Sequence, residues 1–124
     1  KFQLSKNSSI VQIDLDKKII EDFEVTSYKD FDATFQENYD LILIDAPFGS
    51  PRYSRYDIVE YIKNKDFSDN FIIILDDTNR TGEKDTLNVL INLLKMKRDD
   101  IFHETYQGAK ASTIITNMKF FTSV

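Results

Sequence analysis

Cysteine is absent from the 124-residue chain, which rules out disulfides and any thiolate metal set. Glycine occurs only at Gly49, Gly82 and Gly108, proline only at Pro47 and Pro51, and histidine only at His103. No apolar run approaches the roughly eighteen residues of a membrane span, and no signal-peptide core opens the sequence. Neither a membrane partner nor secretion is therefore supported, and a reducing cytoplasm is the expected compartment. Positive charge is also short: 16 Lys and Arg against 21 Asp and Glu leave a formal charge of −5. Nucleic-acid affinity rests on clustered cations, so no nucleic-acid partner is expected. The Gly-Lys-Thr sequence of a phosphate-cradling loop is missing as well.

What the chain does have is a dense apolar set, 41% hydrophobic with ten Phe and six Tyr. That is enough to bury one core, and a single α/β domain over residues 1–124 is expected. Two similar segments organise it, Tyr-Asp-Leu-Ile-Leu-Ile-Asp at 39–45 and Asn-Phe-Ile-Ile-Ile-Leu-Asp-Asp at 70–77. Each is a short unbroken apolar run ending in aspartate, the pattern of a buried parallel strand. Ile58, Val59, Tyr61 and Ile62 between them mark a helix, giving a strand–helix–strand unit. Parallel strands put Asp45, Asp76 and Asp77 at one carboxyl edge, where open α/β sheets bind ligands. Neighbouring strands lie about 4.8 Å apart, so the three carboxylates can share one hard divalent cation such as Mg²⁺. The competing reading is that they cap helices and accept bonds from loop amides.

Elsewhere, residues 9–15 alternate with Val11, Ile13 and Leu15 on one side, the period of a half-exposed strand. Asp16-Lys17-Lys18 reads as a turn and Ile19–Thr26 as a second strand, with helix as its competitor. Tyr28, Phe31 and Phe35 predict a short amphipathic helix. The loop after Asp45 holds both prolines and Gly49, which can take a positive φ; Arg52 and Arg55 in it, with Arg80 after the second strand, are candidate substrate clamps or partners of the aspartates. Leu87, Leu90, Ile91 and Leu94 give the clearest helical stripe, with Thr81 as the expected N-cap. Ile101–Gln107 and Ala111–Phe121 read as a closing antiparallel hairpin around Gly108. His103, inside that hairpin, is assigned a structural or exposed role rather than that of a base.

This order of elements resembles the second half of a class I S-adenosylmethionine-dependent methyltransferase domain. The resemblance runs from about Ser9 onward and rests on Leu-Ile-Leu-Ile-Asp-Ala-Pro-Phe-Gly at 41–49 and Phe-Ile-Ile-Ile-Leu-Asp-Asp-Thr-Asn-Arg at 71–80. It implies a Rossmann-like mixed sheet with a mainly parallel centre, a C-terminal antiparallel hairpin and helices packed on the sheet. It further implies methyl transfer to a small or sugar-like hydroxylated substrate, with Asp45 and Asp76 catalytic and Asp45, Asp76 and Asp77 on the metal positions of the catechol-type members. The family's glycine-rich cofactor turn and its ribose-holding acid have no counterpart here. With Lys1 in place of Met, the chain is expected to be the C-terminal part of a larger domain whose whole form takes S-adenosylmethionine. The alternative is a non-catalytic binding or assembly module, dimerising through an exposed sheet edge.

Overall fold

The computed structural model describes residues 6–66 and 69–119. Its first element is a hairpin of β1 (Leu15–Ile20) and β2 (Phe23–Tyr28), closed by Glu21 and Asp22, both at positive φ. Two such residues form a primed turn whose twist suits a two-residue hairpin. The expected turn at residues 16–18 is thus displaced, and those residues lie within β1, Asp16 and Lys17 exposed and Lys18 half-buried. Residues 8–14 form no ladder; in this segment Asp14 accepts a backbone bond from Lys29. The helix expected from Tyr28 shrinks to one turn, α1 (Phe31–Thr34), which follows Asp30 at a φ of 53°.

The central unit forms as its apolar runs require. β3 (Leu41–Ile44), α2 (Asp57–Lys63) and β4 (Ile72–Asp76) place the two strands parallel, Leu41 beside Ile72 through Ile44 beside Leu75. α3 (Thr81–Lys97) follows, with Arg80 in the cap position and Thr81 already helical, so the expected Thr81 cap is not made. β5 (Phe102–Gln107) and β6 (Ala111–Thr116) close the chain as an antiparallel hairpin, and residues 120–121 of its expected last strand lie outside the described residues. β6 docks antiparallel on β4, giving a four-stranded sheet ordered β3-β4-β6-β5.

This corrects the Rossmann-like expectation. The β1–β2 hairpin forms its own two-stranded sheet, and in the larger sheet only the β3–β4 pairing is parallel, so there is no mainly parallel centre. Nor is the sheet sandwiched between helices. Ile73 and Ile115 share one core with Ile58, Val59 and Ile62 of α2 and Leu90, Ile91 and Leu94 of α3. The opposite alternates are half-buried at Ile72, Ile74 and Ile114 and open at Leu41 and Leu43. A doubly wound sheet needs both faces covered. The apolarity of residues 41–44 reads as burial in the sequence, yet β3 is an edge strand with one uncovered face.

Candidate functional site

Because β3 and β4 run parallel, the loops that follow them leave from the same edge, and Arg55 ties them together. Its guanidinium donates to the carbonyls of Pro47 at 3.3 Å and Asp76 at 3.1 Å and to Asp77 Oδ2 at 3.1 Å. Asp45 Oδ1 lies 3.8 Å away and Glu83 Oε2 3.6 Å. Arg55 and Tyr53 take the positive φ values of this loop, whereas Gly49 does not. The loop is pinned to α3 by further bonds. Ser54 donates to Glu83 through its hydroxyl and to the carbonyl of Gly82 through its amide, and Thr86 donates to the carbonyl of Ser54. Gly82 permits this approach, since a Cβ there would stand 2.3 Å from the carbonyl oxygen of Ser50.

The carboxylate oxygens of Asp45, Asp76 and Asp77 gather within 4.8 Å of one another, as parallel strand ends require. Asp76 accepts from the Ser112 hydroxyl at 2.7 Å, and that bond, with the Asp77 amide and Lys110, holds its pKa down to about 2. Lys110 Nζ lies 3.2 Å from Asp76 and 3.5 Å from Asp77, and the Asp76 bond raises its pKa. Arg80 Nη1 stands 3.7 Å from Asp77. Four carboxylates, counting Glu83, therefore share three side-chain cations.

Five of the six residues singled out from the sequence thus meet, and one does not. Arg52 makes a bidentate pair with Asp85 of α3 and stacks over Phe23, outside the cluster. Arg55 is buried with its donors spent on the frame, so of the three arginines Arg80 is the one in the cluster that is open to a ligand. Sequence reasoning missed Lys110 and Ser112. They reach the edge because β6 lies antiparallel to β4 and sets Ser112 beside Asp76, a pairing that follows once the closing hairpin is docked on β4.

For a divalent cation the donor set is suitable in kind, all hard oxygens, and Asp77 Oδ1 is buried without a hydrogen-bond partner. Lys110 occupies that side of the cluster, however, so entry of an ion requires its ammonium to swing out, which its exposed side chain permits. For S-adenosylmethionine the described residues do not fit: no glycine has positive φ, and Gly82 serves loop packing. Beside the cluster, a cleft of about 480 Å³ is lined by Ile13, Tyr28, Asp45, Pro47, Phe48 and Arg80 among others. Compared with known proteins, the chain matches no family model, no curated protein and no solved structure. Among the described residues no helix is long and apolar enough to cross a membrane.

Proposed function

We propose that the chain binds a small hydroxylated molecule in the cleft between Asp45 and Arg80, as the acceptor-binding part of a methyl-transfer-type enzyme. The observation that carries the reading is a difference in freedom. Arg55, Asp77 and Glu83 are buried in fixed pairs, whereas the side chains of Asp45 and Arg80, 60% and 54% exposed, line the same cleft. A carboxylate accepts from two vicinal hydroxyls and a guanidinium donates to a third oxygen, while Tyr28, Pro47 and Phe48 offer apolar surface to a ring. Methyl transfer is supported by the resemblance of residues 41–49 and 71–80 alone. Within that reading, the role of the described residues is to bind and orient the acceptor hydroxyl beside Asp45.

The test is a titration of isotope-labelled protein with glucose, inositol and catechol, followed through backbone amide shifts. Binding in the millimolar range, about 4 kcal/mol, is expected to move the amides of residues 45–49 and 80 and to be lost in Asp45→Asn and Arg80→Ala without loss of fold. Shifts confined to other surfaces, or binding that survives both substitutions, would refute it.

A further inference from the structure

Residues 9–13 alternate as a strand does, yet no ladder forms there. Val11 and Ile13 line a groove of about 520 Å³ whose facing wall is β3, all four of whose residues reach it. β3 ends the four-stranded sheet, so its outer side presents backbone donors and acceptors with no strand against them among the described residues. Leu41 and Leu43 are 61% and 67% exposed on the uncovered face. Phe31, Phe35 and Tyr61 give the groove an aromatic wall, and the buried Asp57 also lines it, its Oδ1 making no hydrogen bond.

We infer that an extended apolar peptide segment with basic ends inserts between β3 and residues 9–13 and adds a strand to the sheet. Two stretches of strand-forming residues facing one gap explain why residues 9–13 carry the period of a strand without the ladder of one. A small molecule would fill the apolar lining and leave both backbone edges unmet, whereas an inserted strand bonds to them and seats alternate side chains in the aromatic wall and over Leu41 and Leu43. Charge selects the occupant. β3 is flanked by Asp40 and Asp45, and the chain carries −5 overall. A second copy pairing β3 with itself about a two-fold axis would run antiparallel and set the Asp40 end of each strand against the Asp45 end of the other, like charge on like. Arg55, the basic side chain of the groove wall, shares its single charge among Asp45, Asp77 and Glu83, so it offsets the Asp45 end only in part and does not reach the Asp40 end. Lysines at the ends of an incoming strand meet Asp40 and Asp45.

The probe is a synthetic capped hexapeptide, Lys-Val-Ile-Val-Val-Lys, set beside the same peptide with Glu at both ends and a version N-methylated at alternate amides. The expected result is shifts at residues 9–13 and 41–44, and about tenfold slower hydrogen exchange at alternate β3 amides. The Lys-ended peptide should bind more tightly than the Glu-ended one, with that preference reduced or reversed in Asp40→Lys, a substitution at an exposed position outside the Asp45–Arg80 cleft. Three results would each overturn the inference: equal binding of the N-methylated peptide, no β3 protection at millimolar peptide, or a free chain already dimeric with β3 protected. Arg80 lines the hydroxylated-ligand cleft and not this groove, so Arg80→Ala removes hydroxylated-ligand binding and leaves the peptide result unchanged, and the two readings fail separately.

Discussion

Asp57 is the side chain whose removal should strengthen the fold. It begins α2 and is 4% exposed; Oδ2 accepts the Tyr28 amide at 3.1 Å, while Oδ1 has no partner. Burial pushes its pKa from 3.8 up to about 6, against the opposing pull of the Tyr28 amide and of Lys18. The native chain therefore holds this proton more tightly than the unfolded chain does. The resulting stability is fully present below pH 3.8 and is lost as pH rises through about 6, a change of about 3 kcal/mol for a shift of about two units. Asp57→Asn keeps an acceptor for Tyr28 and abolishes the titration. Because its new amide group is itself buried, part of the gain is forfeited, leaving an expected increase of about 1–2 kcal/mol at pH 7. Urea unfolding of both proteins from pH 4.5 to 7.5 measures this. Asp76, with its pKa held down near 2, loses its contribution below this range and does not confuse the slope. Parallel pH profiles for the two proteins would refute the reasoning.

Further outcomes follow from packing and from the acid cluster. Gly82→Ala drives a Cβ to 2.3 Å from the Ser50 carbonyl oxygen and should cost about 1–3 kcal/mol or more in denaturant unfolding, whereas a loss under about 0.5 would mean the loop yields freely. Leu90→Ala, at a fully buried position of α3, should cost about 2–5 kcal/mol, against at most about 0.5 for Met96→Ala on the exposed face of the same helix. Lys110→Ala should strengthen Mg²⁺ binding, read by calorimetry or by amide shifts at Asp76 and Asp77; unchanged Mg²⁺ affinity would show that Lys110 does not hold the site against an ion.

The sequence was legible where the signal is local. Apolar runs at 41–44 and 72–75, the stripe through Leu90, Ile91 and Leu94, and the turn around Gly108 each fix an element by period and length, and parallel pairing then brings Asp45 to Asp76 and Asp77. It was illegible where one side chain replaces a strand. β2 does not join the larger sheet; instead its Thr26 amide donates to the Ser50 hydroxyl and its Tyr28 amide to Asp57. Side chains from residues 24 and 29 positions away thus occupy an edge that hydrophobic periodicity would assign to a neighbouring strand. The same limit applies to Arg55, whose inward turn depends on a positive φ that nothing in its identity announces.

The division of labour at the carboxyl edge follows from burial. Arg55 and Asp77 are almost fully enclosed, and removing either partner of such a pair leaves the other charge stranded, so neither is free to exchange its partner for a ligand. Glu83 is held in the same way by Ser54 and Arg55. Change is confined to groups with solvent at hand, namely Asp45, Arg80 and Lys110. A hydroxylated ligand exchanges water for contacts with the first two and leaves Lys110 in place, whereas a divalent ion must displace Lys110. These occupants differ in what they do to one exposed ammonium, and the motion of Lys110 is accordingly the observable that separates a direct hydroxyl contact from a metal-mediated one.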